Sequence, residues 1–382
     1  MGEGFRARRV AVISGSHLVH DLYGAFLSPL LPVLIERHGL SLRLAGTLLP
    51  AFRAPSFIQP SLGYLADRGR IIRLLPLFML VSALCMSSLL VARSYLQAAA
   101  LLVAGGFSVT LFHAVALALI SGASGGRHGT GMSLFMLGGE MARSLGPLYI
   151  VTLAGVLPRS WTPAAALPGA AAAVVLAVTG AAGRVSGRKT SPPSFFQGLG
   201  RGGRDLAFIL IIGAVQSFTL HGFTLFLPTF LRQEGATLFT AGSALTILQL
   251  AGAAGALTGG TLSDRVGRKT FFMIAVFAVP LLLNGFLLSG GYLPRALFLV
   301  GTGLFLFGST PVRYAYAQEL VPGMGGTVSS LLMTLNLLVS ILASMTTGLL
   351  GDHLGLHAAF RLISLLPLAA VPLIALLGRG EG

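Results

Sequence analysis

The sequence predicts an all-α membrane protein with twelve transmembrane helices in two pseudo-symmetric six-helix bundles, and three observations predict it. Apolar stretches of roughly 20 residues, enough to cross about 30 Å of hydrocarbon, recur from end to end with only short polar breaks. A polar interval between Gly183 and Asp205 divides them six and six. The two halves also align with each other at an offset of 197 residues. Composition agrees: 54% of the 382 residues are hydrophobic and 10% charged, against about 25% charged in soluble domains.

The expected spans are 10–35, 43–66, 74–92, 96–120, 129–153 and 164–182 in an N-terminal bundle covering 1–182. A cytoplasmic linker follows at 183–205, rich in Pro192, Pro193, glycine and charge. The C-terminal bundle, 206–382, carries spans 206–231, 238–262, 271–289, 295–318, 326–350 and 358–377. Arg6, Arg8 and Arg9 precede the first span like the basic end of a signal peptide. That span exceeds an h-region and lacks a small-residue cleavage site, so it is expected to remain in the mature protein.

A net charge of +15 would suggest a nucleic-acid partner in a soluble protein, but here the basic residues sort by loop. With the N-terminus inside, sixteen of the 26 arginines and lysines fall in cytoplasmic segments. Only Arg37, Arg93, Arg159, Arg232 and Arg295 fall on the opposite side. That asymmetry is the one membrane insertion imposes, so the charge reports orientation, with both termini cytoplasmic, and no nucleic acid is expected. Cys85 is the single cysteine, which excludes an intrachain disulfide and a thiolate metal cage.

The internal match is carried by two motifs. GYLADRGR at 63–70 corresponds to GTLSDRVGR at 260–268, and GTGMSLFM at 129–136 to GTVSSLLM at 326–333. A duplicated six-helix unit explains both. Parallel repeats of this kind set a substrate site near mid-membrane and rock about it.

The first motif, lying between the second and third helices of each half, resembles the signature loop of the major facilitator superfamily. The first copy, Asp67-Arg68-Gly69-Arg70, lacks the residue that Val266 supplies in the second. The resemblance implies a cytoplasmic gate built from Gly63, Asp67, Arg68 and Arg70 and from Gly260, Asp264, Arg265 and Arg268. In that family pattern Asp67 and Asp264 would lie near a positive helix N-terminus of the other bundle, where a carboxylate gains about 0.3–1 kcal/mol. On the simpler reading the arginines only enforce orientation.

Further pieces resemble the fosmidomycin-resistance group of drug exporters. They are His17 and Asp21 in H-x-x-x-D, Phe112-His113, the run from Ala123 to Gly129, Ser144 to Pro147, and Ala317 to Gly323. Two departures bear on substrate: Ala114-Val115 stands where that group has Pro-Glu, and Glu140 and Arg143 stand where its members are uncharged. The resemblance implies export of a small organic compound, drug-like or phosphonate-like.

His17, His20 and Asp21 occupy positions i, i+3 and i+4 of the first span and share one helix face. A charge at the bilayer centre costs about 2.5–3.5 kcal/mol on insertion scales, so this patch should face a wet cavity or a partner. Imidazoles beside a carboxylate can exchange a proton at cellular pH, which makes Asp21 the candidate coupling residue. The alternative is a structural hydrogen-bond network. His113, in the fourth span, is the next candidate for a titrating or substrate-binding group, and His221, in the seventh, a weaker one.

Glu140 and Arg143, spaced i, i+3, should pair and lower each other's insertion cost; they also sit in a Gly-Pro segment loosely similar to the antiporter motif of drug/proton exchangers. At the repeat offset His113, Glu140 and Arg143 align with Thr310, Leu337 and Ser340, so the polarity belongs to the N-terminal half. Arg313 in the tenth span either binds an anion or snorkels to headgroups; Arg53 is similarly ambiguous.

These features predict a monomeric secondary active transporter in the cytoplasmic membrane, whose partners are a small-molecule substrate, protons and the lipid bilayer. It would be a proton-coupled antiporter working by alternating access. A proton returning through 100 mV supplies about 2.3 kcal/mol, and no P-loop is present, so no ATP, cofactor or enzymatic step is expected. The alternative function is a transition-metal exporter with His17, His20 and Asp21 as ligands. A sensor or assembly role on the same scaffold is the third.

Overall fold

The computed structural model describes residues 5–59, 61–62, 65, 71–181, 203–321 and 325–377. Among them there is no strand; every regular element is a helix. The chain divides into two compact units. One is formed by the described residues within Met1–Leu40, Thr47–Lys189 and Leu231–Thr246, the other by those within Ser41–Gly46, Thr190–Phe230 and Ile247–Gly382.

The first crossing is made of α1 (Ala7–Gly24) and α2 (Leu27–His38). Pro29 has no amide to offer the carbonyl of residue 25, and the helix breaks there. It stops at Gly39, whose left-handed φ of 58° lets Leu40 N–H bond back to the Ile35 carbonyl at 3.2 Å. The second crossing is interrupted for the same reason, with α3 (Leu42–Gly46) ending ahead of Pro50 and α4 (Leu48–Arg53) passing into a 3₁₀ turn at Pro55. Then come α5 (Leu75–Ser87), α6 (Tyr95–Ser124), α7 (His128–Val156) and α8 (Leu167–Val178). Ser94 caps α6, its Oγ accepting from Gln97 N–H at 3.2 Å.

Within the first unit α1 lies against α7 through glycines. A β-carbon on Gly138 would come within 2.8 Å of the Ser14 carbonyl oxygen, and one on Gly146 within 2.7 Å of that of Leu22. Small residues let the two backbones approach, the usual device where apolar burial alone cannot join helices in lipid. Val10, Ile13, Phe78, Met79, Phe112 and Phe135 fill the core beside this seam. At the edge Arg9 Nε donates to the Ala181 carbonyl at 2.9 Å, tying the start of α1 to the end of the sixth crossing.

The remaining helices are α9 (Gly203–Gln233), α10 (Leu238–Val266), α11 (Arg268–Leu288), α12 (Tyr292–Leu320), α13 (Gly325–Leu365) and α14 (Val371–Leu376). Gly355, at φ 79°, interrupts α13 and separates the eleventh crossing from the twelfth. α10 and α12 touch backbone to backbone at Gly255 and Gly259, whose added β-carbons would fall 2.3 and 2.5 Å from the carbonyl oxygens of Leu304 and Gly308. Asp352 accepts from the amides of Leu42 and Arg43 at 2.6 and 2.9 Å, so α3 is capped by the eleventh crossing inside the second unit.

Eight helical stretches among the described residues are long and apolar enough to cross a bilayer. The others are the Pro-broken second crossing, the shorter apolar helix Ile72–Ser87, and α7, which carries Glu140 and Arg143. Since the stretch Thr327–Leu376 holds two crossings, the pattern agrees with twelve. Val178, Leu281, Leu297 and Leu342 stand exposed, as side chains facing acyl tails should.

Candidate functional site

The polar patch of α1 is buried against α6 and α7. Asp21 is ringed by three imidazoles: His17 Nε2 lies 3.2 Å from Oδ2, His20 Nδ1 3.1 Å from Oδ1 and His113 Nε2 3.3 Å from Oδ1. The rings are held in place by aromatic faces. His17 stacks on Phe135 with centroids 3.7 Å apart, and His20 on Phe112 at 3.8 Å. Gly139 supplies the room, because a β-carbon there would sit 2.8 Å from His17 Cε1 and 3.3 Å from Asp21 Oδ2.

Backbone carbonyls decide where the ring protons go. His17 Nδ1 donates to the Phe135 carbonyl at 2.7 Å, and His113 Nδ1 to that of Val109 at 2.9 Å. With those nitrogens committed as donors, a neutral imidazole at either position turns a bare lone pair inward at Nε2. The two Nε2 atoms are 3.2 Å apart and both reach the Asp21 carboxylate. Three acceptors cannot face one another at these distances, so the cluster needs at least one further proton to be satisfied. The same atoms of His17, Asp21 and His113 lie within 4.8 Å of one another, a spacing that suits a metal ion equally in geometry. Exposure is graded: His20 is fully buried, Asp21 and His17 nearly so, and the His113 side chain is 25% exposed, making it the open side of the cluster.

Glu140 and Arg143 pair with each other on α7 and are partly exposed. Arg143 lies within electrostatic reach of His113, and Arg53 within reach of Asp21 and Arg143. Two other sequence candidates belong to the second unit. His221 Nε2 lies 3.2 Å from Asn336 Oδ1. Arg313 is 4% exposed and does not snorkel; its Nη1 donates to the Gly213 carbonyl at 3.0 Å and to Ser217 Oγ at 3.3 Å. Sequence reasoning missed Phe135, Gly139, Gly213 and Ser217 as parts of these sites. Only the glycines left a signal, as small residues within polar helical stretches.

Of the two gate motifs, Gly63, Asp67, Arg68 and Arg70 lie outside the described residues, as do 183–202 of the expected linker. In the second copy Arg268 Nη2 bridges Asp264 at 2.6 Å and Glu319 at 2.9 Å, and Nη1 reaches the Gly260 carbonyl at 3.3 Å. Lys269 Nζ donates to the carbonyls of Ala375 and Leu377 at 2.6 and 3.0 Å. Arg265, in the last turn of α10, is exposed.

Repeated membrane-crossing helices with a polar cluster buried inside define a multi-pass membrane protein, and the family match makes it a transporter rather than an enzyme. The sequence matches the Major Facilitator Superfamily over residues 13–344, and the chain belongs to that family. It is 29% identical over 378 residues to the fosmidomycin resistance protein of Escherichia coli (strain K12), covering 94% of this chain and 90% of the relative. It is 25% identical over 381 residues to the uncharacterized MFS-type transporter YfnC of Bacillus subtilis (strain 168), with the same coverage. Among solved structures, a bacterial homolog of the human lysosomal transporter Spinster, inward-facing and occupied, matches with a TM-score of 0.84 at 16% identity, over 98% of this chain and 97% of that one. A D-xylose-proton symporter matches with a TM-score of 0.74 at 15% identity, over 97% of each chain. At such identities the structural likeness speaks for the fold. The metal-export alternative finds no counterpart among these proteins.

Proposed function

We propose that this chain is a proton-coupled antiporter of the cytoplasmic membrane that exports a small organic compound by alternating access, as a monomer with both termini in the cytoplasm. The observation that carries the reading is the meeting of His17 Nε2, His113 Nε2 and the Asp21 carboxylate, three acceptors that a bound proton satisfies. The partners of Asp21 support it, because an imidazole can release the proton it carries, whereas a paired arginine would not. The resistance named in the Escherichia coli relative supports outward transport of a drug-like molecule. Arginines weighted to the loops taken as cytoplasmic support the orientation.

In this mechanism the loaded cluster is the state that releases cargo outward, and proton loss towards the cytoplasm restores affinity for the next molecule. His113, the open member, is the proton's way in. Glu140 and Arg143 set the potential at its mouth. The test uses everted vesicles with an imposed pH gradient and fosmidomycin as the first probe. Wild type should dissipate the gradient when the probe is added, and Asp21→Asn should not, at equal expression. Gradient loss unchanged in Asp21→Asn would refute proton coupling at this cluster. Tight zinc binding by calorimetry, abolished in His17→Ala, would transfer the site to a metal.

A further inference from the structure

We propose that Arg313 is the anion-recognition residue of the second unit, taking a carboxylate, phosphate or phosphonate group of the transported compound. This rests on the transport reading above and names the chemistry of the cargo.

Arg313 is a built feature. Gly213, Gln216 and Ser217 lie three and four residues apart on one face of α9, and this face receives the side chain. Gly213 is the notch: a β-carbon there would fall 2.4 Å from Arg313 Cδ and 2.9 Å from Nη1. Nη1 is satisfied by the Gly213 carbonyl and Ser217, but Nε is buried without an acceptor. On the same face of α9, the Gln216 Oε1 is buried without a donor.

The charge is uncompensated. Arg268 has Asp264 and Glu319, and Arg143 has Glu140, whereas among the described residues no carboxylate pairs with Arg313. Removing an ion from water is costly, and only opposite charge with good hydrogen bonds recovers that cost. The Nε edge of a guanidinium matches two oxygens of a planar or tetrahedral oxyanion. Gln216 Oε1 can accept from a hydroxyl or N–H of the same molecule. A lipid headgroup is a poor source. Arg313 is seven residues short of the end of α12, about 10 Å of helix, away from the level of the headgroups.

The test is calorimetry on the purified full chain in detergent, with phenylphosphonate, benzoate and neutral benzamide as probes. At least one anion should bind ten-fold or more tightly than benzamide, and Arg313→Gln should erase that preference while Arg313→Lys keeps part of it. Equal binding of benzamide, no binding of either anion, or an unchanged preference in Arg313→Gln would each overturn the assignment. If the variants do not assemble, wild type still decides: phenylphosphonate should slow phenylglyoxal modification of Arg313, read by mass spectrometry, and an unchanged rate overturns it. Protection by phosphatidylglycerol nanodiscs alone, with no added effect of the probe, would assign the site to lipid and overturn the cargo role. Anion preference without proton movement would sink the coupling proposal and leave this one standing; proton movement without anion preference would do the reverse.

Discussion

Among the described residues the hydrogen-bonding partners of Asp21 are three imidazoles, those of His17, His20 and His113. Ring position, set by stacking and by the Gly139 notch, therefore decides how well a proton is shared. Gly139→Ala adds a methyl group 2.8 Å from His17 Cε1. Such overpacking costs about 1–3 kcal/mol, and the stacked ring must shift from its carbonyl and from Asp21 to relieve it. The variant should insert and fold yet show several-fold slower substrate-induced proton movement in everted vesicles, normalised to protein; a wild-type rate would show that the notch is dispensable. The i, i+4 pairing of His17 with Asp21 was legible in sequence because helix periodicity alone puts them on one face. His113 was legible only through family likeness, since nothing in its own spacing points at α1. The Phe135 carbonyl that orients His17 left no trace, because a backbone acceptor belongs to every residue type. Nor could sequence decide between burial and snorkelling for Arg313, whose distance from the helix end allows both.

At the scale of elements, prolines and glycines set the shape of each crossing. Pro29, Pro50 and Pro55 each withdraw an amide from the helical ladder, and the first and second crossings break accordingly. Hydropathy reads through such breaks, which is why the spans were recognisable while their interruptions were not: an apolar run has the same length whether straight or kinked. Gly355 makes a sharper demand. Its φ of 79° with ψ of 155° is open to glycine but costs other residues about 1–3 kcal/mol, so Gly355→Ala should lower the melting temperature of the purified protein in detergent. Gly155→Ala, in a helix with nothing within 4 Å of the new β-carbon, should leave it unchanged or raise it slightly. Equal melting of the two variants would mean that the α13 interruption carries no strain.

At the scale of the whole molecule, the loop distribution of arginine and lysine makes a prediction about sidedness. Cys85, the single cysteine, can be replaced by serine to give a clean background. In that background a membrane-impermeant maleimide should label a Gly290→Cys variant in intact cells and a Gly126→Cys variant only after permeabilisation. Both positions have open space for the new side chain. The opposite pattern would invert the assigned orientation. The twelve-span plan was legible because hydrocarbon thickness imposes one length on every crossing. The membership of Ser41–Gly46 in the second unit was not, being a matter of packing between residues more than 300 positions apart. Finally, the basic pair opening α11 joins several helix ends. Arg268 rivets the ends of α10 and α12 through Asp264 and Glu319, and its neighbour Lys269 clasps carbonyls at the C-terminal end of α14. Ends braced by one pair of neighbouring cations are expected to shift together more readily than singly, so this corner of the second unit should behave as a plate.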